Sequence, residues 1–357
     1  MTRLNDDEPA TGGLRRPVTS LRDVASSAGV SVSTASRVLS GSSHPVSAGA
    51  RSRVLEAADR LGFEPNRLAR ALATARSQTI GVLVHDVSDP YFAEIVRGLE
   101  DVAGSRDHAL FVASSDRDPQ KELSLMKAFM SHRVDAIMLV ASGLTTPGYT
   151  EDLEELLERY EELGGVVVAM SEHSYPAPRV LVDNRAAMRS IVEHLVDLGH
   201  RSIAYLAGPP GLAVSEVRFD GYRHALTDAG IDADEALVEC GWFSMEGGAE
   251  ATERLLESGT PTAIVAANDM MAIGAMRRLL DLGRRVPEDM SVAGIDDIEF
   301  AAYSSVPLTT VRIPLIEFGR QGAEMVFDLL SGEPSSSPRS VKHELLVRAS
   351  TGPPPQL

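Results

Sequence analysis

The segment from Leu21 to Leu39 combines residue types that suit a pair of crossing helices. Ala25 and Ala28 are small enough for two helices to approach closely, and Gly29 can adopt the positive φ of a tight turn between them. Two helices joined in this way can place the second helix in the major groove of DNA. The spacing therefore predicts a helix-turn-helix, although the same pattern also suits an αα-hairpin in an all-helical domain.

The second helix of this pair carries the residues that would contact bases. Val32, Ser33 and Arg37 are expected to face outward, whereas Val30 and Val38 are expected to fill the junction between the helices. An outward Arg can donate two hydrogen bonds to O6 and N7 of guanine, and short side chains near the helix N-terminus can approach base edges. In the αα-hairpin alternative, Arg37 would be only a solvated charge.

Polar and aromatic side chains cluster after the predicted strands in the remainder of the chain. In open α/β sheets, ligands bind beyond the carboxyl ends of the strands, so these side chains are expected to meet in one cleft. Carboxylates and an amide can bind paired hydroxyl groups while aromatic rings cover an apolar face, which suits a polyhydroxylated ligand. The candidates are Asp89, Tyr91, Phe92, Arg218, Trp242, Asn268 and Asp296.

Some of these candidates also have a simpler interpretation. Asn268 could merely cap the helix predicted over 269–282, and Asp296 could lie in a solvated turn. Trp242, the only Trp in the chain, could belong to the core. These alternatives stay open at the level of the sequence.

The helices that position the first candidates are marked by caps and apolar periodicity. Ser20, Ser31 and Ser47 each stand where a hydroxyl group would cap a helix N-terminus. They predict helices over about 21–27 and 32–39, followed by a third helix that begins after Ser47.

From Ile80 onward, short apolar runs alternate with helical stretches, which is typical of parallel sheets covered by helices. The interruption at Pro176–Pro178 and the length of the region favour two sheets over one. Strands are predicted over 80–84, 109–113, 136–140, 166–170, 203–206, 263–266 and 292–294. Helices are predicted over 91–103, 120–132, 150–163, 185–198, 216–229, 246–258 and 269–282.

The predicted fold class is therefore α/β, with an N-terminal helix-turn-helix head and a body of two subdomains with parallel sheets. The segments are a disordered leader (1–17), the helix-turn-helix domain (18–64), a hinge helix and linker (65–78), the body (79–350) and a tail (351–357).

The charge is distributed unequally between head and body. Residues 1–78 contain 11 Arg and 7 acidic residues, whereas the remainder contains 23 basic and 44 acidic residues, so a net charge of −17 conceals a basic head. This asymmetry favours a nucleic-acid partner for the head alone. A single Cys, the lack of a long apolar stretch and a polar N-terminus predict no disulfide framework, no membrane span, no signal peptide and a cytoplasmic location.

Motifs along nearly the whole chain resemble a known family. They include the stretch 17–41 and, in order, Asp89-Pro90-Tyr91-Phe92, Arg218-x-x-Gly221-Tyr222, Ala267-Asn268-Asp269, Gly294-x-Asp296-Asp297 and Pro307-Leu308-Thr309-Thr310-Val311. Together they resemble the lactose-repressor/galactose-repressor family. The resemblance implies a periplasmic-binding-protein-like body, a homodimer on a near-palindromic double-stranded DNA operator, and a small-molecule effector, a sugar or sugar derivative, between the two subdomains.

The resemblance also assigns roles to residues. It implies base choice by Val32 and Ser33, phosphate contacts by Ser20, Ser47 and Asn66, and insertion of Leu72 into the minor groove. The full set of DNA-contacting positions is Ser20, Ser31, Val32, Ser33, Thr34, Arg37, Ser47, Asn66, Ala69 and Leu72. Sugar-binding relatives commonly have an Asp directly after the strand predicted over 166–170, where this chain has Ser171-Glu172. The resemblance therefore adds Ser171 to the candidate effector-binding residues.

Other functional classes fit the sequence less well. The chain has no HExxH zinc motif, no GxGxxG or GxxxxGK phosphate loop and no GxSxG nucleophile elbow, so we expect no metal, no cofactor and no catalysis. A solute-binding protein would need an export signal and no DNA-binding head. An α/β enzyme would need a nucleophile or an acid/base pair in the cleft. The tail lacks apolar heptads, which predicts a dimer and no larger assembly.

Overall fold

The computed structural model describes residues 19–39, 44–63, 76–146, 148–333 and 338–355. The chain divides into two compact units, residues 1–77 and 78–357. None of the helices in the described ranges is long and apolar enough to cross a membrane.

The described residues of the first unit form three helices, α1 (Leu21–Ala28), α2 (Val32–Leu39) and α3 (Ala48–Arg60). Helix α1 begins with a capping box, in which the Ser20 hydroxyl accepts a hydrogen bond from the Asp23 amide at 3.3 Å and the Asp23 carboxylate accepts one from the Ser20 amide at 2.8 Å. It ends at Gly29, whose φ of 63° turns the chain into α2. The predicted helix-turn-helix is thus confirmed.

A small apolar core holds these three helices together. Val24, Ala35 and Val54, one from each helix, have no exposed surface. Ala25 and Ala28 are also buried, so the close crossing predicted from small residues is present. Helix α2 contributes Ala35 and Val38 to this core, and none of the core residues lies on the outward side of α2.

The second unit alternates strands and helices. Its strands are β1 (Thr79–Val84), β2 (Ala109–Ser114), β3 (Ala136–Leu139), β4 (Val166–Ala169), β5 (Val180–Val182), β6 (Ile203–Ala207), β7 (Val238–Cys240), β8 (Ala263–Ala266), β9 (Ser291–Asp296), β10 (Thr309–Arg312), β11 (Arg339–Val341) and β12 (Glu344–Leu346). Its α-helices are α4 (Pro90–Ser105), α5 (Pro119–Ser131), α6 (Tyr149–Glu162), α7 (Asn184–Asp197), α8 (Ala213–Asp228), α9 (Met245–Ser258), α10 (Asp269–Asp281), α11 (Glu299–Tyr303) and α12 (Leu315–Leu330), with a 3₁₀ turn at Glu235–Leu237.

The strands form two main sheets, as predicted. The first has the order β2-β1-β3-β4 and is entirely parallel. The second has the order β12-β10-β9-β8-β6-β7, in which only the edge strand β12 runs antiparallel. A third, two-stranded sheet pairs β5 with β11. All carboxyl ends of the parallel strands within each main sheet lie at one edge, where ligand sites form.

The chain crosses between the two halves of this unit more than once. Helix α12 follows β10 of the second sheet but packs against α4, which follows β1 of the first sheet. Gly98 and Gly319 make that packing close, since a Cβ on either would overlap a backbone carbonyl oxygen of the other helix. The sequence interpretation missed α12 because Gly319 and Gly322 weaken its helical signal, and tertiary packing overrides that weakness.

Candidate functional site

The first candidate site is the outward surface of α2. Val32 is 44 % exposed, and Ser33 and Arg37 are also exposed, while Ala35 and Val38 on the opposite side are buried. This is the orientation that the sequence predicted. An eight-residue helix with short side chains at its N-terminus and an Arg further along is suited to contact base edges in a major groove.

Hydroxyl groups gather at the N-terminus of α2. The Ser31 hydroxyl accepts a hydrogen bond from the Thr34 amide at 3.1 Å and lies 2.8 Å from the Thr34 hydroxyl and 2.9 Å from the Ser33 hydroxyl. Ser31 therefore caps the helix as predicted. The remaining backbone N–H groups of this turn, with the partial positive charge of the helix N-terminus, suit an anion such as a DNA phosphate.

The other predicted phosphate contacts lie at helix N-termini of the same unit. Ser20 begins α1, and Ser47 begins α3, where its hydroxyl accepts from the Ala50 amide at 3.3 Å. Both residues are exposed. The predicted DNA contacts of Asn66, Ala69 and Leu72 lie outside the described residues.

The second candidate site is a partly open cavity in the second unit, and the space between its walls, including the part open to solvent, is about 580 Å³. It lies at the carboxyl ends of strands from both main sheets, as expected for this fold. Its lining residues are His85, Asp89, Tyr91, Phe92, Arg117, Val140, Ser142, Met170, Ser171, Val182, Asn184, Val214, Arg218, Phe243, Asn268 and Asp296. Seven of the eight predicted effector residues are among them.

Arg218 organises one side of this cavity. Its Nε donates to Asn184 Oδ1 at 2.9 Å, its Nη2 donates to Asp296 Oδ1 at 3.1 Å, and its Nη1 donates to the Ala267 carbonyl oxygen. All three side chains, Arg218, Asn184 and Asp296, are at least 94 % buried. Burial raises the pKa of Asp296 well above its usual value, an effect that the nearby Arg218 guanidinium partly offsets. Asp296 is thus a buried ion-pair partner, which excludes the solvated-turn alternative.

Asn268 and Asp269 have different roles although they are adjacent. Asn268 accepts from the Met271 amide at 3.0 Å, so it caps α10, and it also lines the cavity. Asp269 is fully buried and binds the Thr310 hydroxyl at 2.6 Å and the Ile298 amide at 3.0 Å. Burial raises the pKa of Asp269 to about 7, and its position makes it a link between α10 and strands of the second sheet.

Asp89, Tyr91 and Phe92 line the other side of the cavity, at the start of α4. The Asp89 carboxylate caps this helix by accepting from the Tyr91 amide at 3.0 Å, and burial raises its pKa. The rings of Tyr91 and Phe92 meet edge to face with centroids 5.1 Å apart. Burial also raises the pKa of Tyr91, so its phenol stays protonated and can donate a hydrogen bond.

Trp242 does not line the cavity. It is 58 % exposed, and the next residue, Phe243, occupies the lining position. Both residues adopt positive φ, 57° and 58°, and this double left-handed turn reverses which side chain points inward. The sequence analysis predicted that an aromatic ring of this loop lines the cavity, but the residue is Phe243 and not Trp242. The alternative that Trp242 belongs to the core is also wrong, because its side chain is exposed.

Three loops around the cavity each contain two consecutive non-Gly residues with positive φ. They are Asp116 and Arg117, Trp242 and Phe243, and Asp296 and Asp297. Each such residue costs of the order of 1–3 kcal/mol and persists only where the surroundings enforce it. In every pair at least one member lines the cavity, so the backbone strain marks the loops that shape this site.

Sequence reasoning missed five polar or aromatic lining residues: His85, Arg117, Ser142, Asn184 and Phe243. His85 directly follows β1, the position that parallel-sheet reasoning examines, so that signal was available. Arg117 directly precedes Asp118, which caps α5, and its side chain lines the cavity. Asn184 is the first residue of α7 and carried no distinctive signal. Among the described residues, no three His, Cys, Asp or Glu side chains are grouped as a metal site would require.

Comparison with known proteins covers both units. Residues 20–66 match the family described as bacterial regulatory proteins, lacI family, and residues 192–351 match a periplasmic binding protein-like domain. The transcriptional repressor CytR of Escherichia coli (strain K12) is 32 % identical over 334 residues, covering 93 % of this chain and 96 % of the relative.

Two solved structures have the same architecture. A lac repressor dimer bound to operator and the anti-inducer ONPF is 29 % identical, covers 94 % of this chain and 99 % of its own, and superposes with a TM-score of 0.81. A complex of the transcriptional regulator CelR with cellobiose is 32 % identical, covers 93 % of this chain and 99 % of its own, and has a TM-score of 0.69.

Proposed function

The chain belongs to the lacI family of bacterial regulatory proteins, and from this premise we propose that it is a transcriptional repressor that binds a near-palindromic operator as a dimer and responds to a small molecule in the cavity. The observation that carries this proposal is the exposed base-contacting side of α2. A solute-binding protein that shares the body fold does not need a DNA-binding head, whereas a regulator needs an exposed helix such as α2, on which Val32, Ser33 and Arg37 face solvent.

Operator recognition divides between base and backbone contacts. Val32 and Ser33 choose bases through short side chains, and Arg37 supplies a guanidinium fork for guanine. Ser20, Ser31, Thr34 and Ser47, located at helix N-termini, fix the register on phosphates without selecting sequence. Asn66, Ala69 and Leu72 complete the interface by resemblance to the family.

The cavity binds the effector. Asp89 and Asn268 contact hydroxyl groups, and Tyr91, Phe92 and Phe243 cover the apolar face of the ligand. The relative CelR was solved with cellobiose, which supports a carbohydrate or a carbohydrate derivative as the ligand class. Arg218 and Asp296 hold the loops of the second sheet in place, so they shape the site beyond any direct contact.

Control of DNA binding follows from where the lining residues originate. Asp89 and Phe92 belong to the helix after β1 of the first sheet, whereas Phe243, Asn268 and Asp296 follow strands of the second sheet. A ligand that contacts both groups favours one relative orientation of the two halves. Differential affinity for two orientations is what an effector needs to shift an equilibrium, and coupling of ~1–3 kcal/mol is typical.

The His–Ser pair beside the cavity does not support the enzyme alternative. His85 lies 3.3 Å from the Ser115 hydroxyl, but Ser115 is fully buried and does not line the cavity, so this pair cannot present a nucleophile to a ligand. We therefore propose a binding role without catalysis, and a cytoplasmic location, where the DNA target is found.

A mobility-shift titration tests this function. Fragments of the source genome are incubated with the full-length protein, and the retained fragments are sequenced and footprinted. The proposal predicts protection of an inverted repeat at nanomolar protein in the presence of excess nonspecific DNA. Binding that is equally tight on every fragment, or absent from all of them, would refute sequence-specific regulation.

A further inference from the structure

Arg117 carries a charge inside the cavity that no partner neutralises directly. It lies on the loop between β2 and α5, and its φ of 61°, after 53° at Asp116, holds it in a left-handed turn. Its Nε is buried and has no hydrogen-bond partner. No carboxylate of the described residues lies within 4.0 Å of its guanidinium.

The carboxylates near Arg117 are already engaged elsewhere. Asp116 pairs with Lys121, Asp86 accepts from the Ser88 amide and hydroxyl at 2.8 Å each, and Asp89 caps α4. Burial lowers the pKa of Arg117, and the charges of Asp89, Asp86 and Asp116 partly offset this effect. They therefore keep Arg117 charged without occupying its donors.

A second unpartnered group lies beside Arg117. His85 is 97 % buried, and its Nε2 has no hydrogen-bond partner. Its Nδ1 lies 3.3 Å from the Ser115 hydroxyl, which can fix the ring and leave Nε2 available. Burial, with the neighbouring Arg117, lowers the pKa of His85 to about 3, so the ring is neutral and can donate a hydrogen bond from Nε2 in one tautomer.

On the basis of the proposed function, we propose that the effector is an anionic carbohydrate derivative whose phosphate or carboxylate group binds to Arg117 and His85. Arg117 would pair with the anion through its planar fork, and the His85 Nε2 would add a neutral donor. The hydroxyl groups of the same ligand would reach Asp89 and Asn268 on the remaining cavity wall.

The surroundings of Arg117 fit this assignment. Its guanidinium carbon lies 5.9 Å from the centroid of the Phe243 ring, which comes from the opposite half of the unit. Stacking on an aromatic face leaves the in-plane N–H groups of an Arg available for an oxyanion. An anion bound there would lie at the boundary between the halves, where a ligand that contacts both halves can favour one relative orientation.

A neutral sugar would be a poor alternative ligand. It would displace water from Arg117 while offering only hydroxyl oxygens to a half-buried, charged donor. Leaving a buried charged group poorly paired is costly, and such unpaired groups are a strong source of ligand discrimination. The Arg218 guanidinium cannot serve instead, since it already binds Asn184, Ala267 and Asp296.

The experiment measures ligand affinity by calorimetry on the full-length protein. The probes are inorganic phosphate and sets of matched sugars: glucose, galactose and ribose, each with its phosphate ester and its aldonic acid. The expected result is that an anionic member binds at least about tenfold more tightly than its neutral parent and that inorganic phosphate competes with it. The phosphate and acid arms then separate the two sources of the negative charge.

Two substitutions locate the effect. Arg117→Met should remove the preference for the anionic member and the competition by phosphate, with little loss of folding because Arg117 makes no hydrogen bond or ion pair among the described residues. Arg106→Met is the matched control, since Arg106 also stacks on an aromatic ring, Phe327, at 4.6 Å but lies outside the cavity lining. It should behave like the wild type.

The outcomes separate this inference from the proposed function. Tighter binding of a neutral parent, an unchanged preference in Arg117→Met, or no response to any anionic probe overturns the anion site. Operator binding is measured on the same samples. If it persists while the anion site fails, the proposed function stands; if it is absent in wild type and in both variants, the proposed function itself falls.

Discussion

The outward side of α2 and the cavity of the second unit are built in opposite ways. On α2 the side chains that we propose contact bases, Val32, Ser33 and Arg37, are exposed and lie within six positions of one helix. In the cavity, Arg218 and Asp296 are buried, and the lining residues come from strands, helices and loops between positions 85 and 296 of the chain. In the first unit, the residues proposed for recognition therefore differ from those that stabilise the fold, whereas in the second unit the same residues serve both roles.

The largest expected effect is the loss of the buried Arg218. Arg218→Ala would leave Asp296 as an uncompensated buried carboxylate, which typically costs ~3–5 kcal/mol. Chemical denaturation followed by the fluorescence of Trp242, the only Trp, reports this because that residue lies in the second unit. Arg285→Ala, which removes an exposed ion pair with Asp289, is the control and should leave the midpoint unchanged. An equally stable Arg218→Ala protein would show that function and stability are separable here too.

The next effect concerns Arg37 on α2. Arg37→Ala should lose ~1–3 kcal/mol of operator affinity per half-site contact and relax base choice there, while the free energy of unfolding changes by less than about 1 kcal/mol because Arg37 is exposed. Arg37→Lys keeps the charge without the planar fork, so it should retain nonspecific binding but not the base preference. Titrations on operator and single-base variants provide the measurement. A loss of folding stability in Arg37→Ala would contradict the separation drawn for the first unit.

A buried carboxyl behind the cavity gives a pH-dependent effect. Burial raises the pKa of Glu122 from 4.5 to about 6, against a hydrogen bond from the Tyr149 phenol. Between these values the unfolded chain releases a proton that the folded chain retains, so the free energy of unfolding falls as pH rises. Glu122→Gln removes this dependence because Gln does not titrate. The free energy of unfolding of the variant minus that of wild type should therefore increase by about 1–2 kcal/mol between about pH 5 and about pH 8. A pH-independent difference would show that Glu122 does not titrate in this range.

The smallest effect separates Trp242 from Phe243. Phe243→Ala should weaken effector binding by about tenfold, since it removes an apolar wall of the cavity. Trp242→Ala should change the effector Kd by less than about twofold, because this side chain lies in solvent. Calorimetry on both variants compares them directly. The reverse order would return Trp242 to the site and displace Phe243.

The sequence predicted the first unit well because its structure is specified locally. The capping box of Ser20 and Asp23, the positive φ of Gly29 and the burial of Ala25 and Ala28 each depend on residues a few positions apart. The seven predicted strands were also found, because continuous apolar runs of four to six residues are typical of buried parallel strands.

The remaining elements lacked such a signal. Strands β5, β7, β11 and β12 have only three residues each, and β10 consists mainly of Thr and Arg with little apolar character. Left-handed turns at non-Gly residues direct the side chains of Arg117 and Phe243 into the cavity, and the residue types at these positions do not predict such turns. The position of a cavity residue in such a loop depends on tertiary contacts, so the sequence could locate the loop but not the side chain.

We propose that occupancy of the cavity by its ligand controls the affinity of the protein for the operator. The most direct test is to titrate one footprinted operator with the full-length protein, with and without a saturating concentration of the ligand that calorimetry identifies. The account predicts operator Kd values that differ by a factor of about 5–150, and the same factor in the ligand Kd with and without operator. Equal operator Kd values in samples where the ligand is shown to occupy the cavity would contradict it.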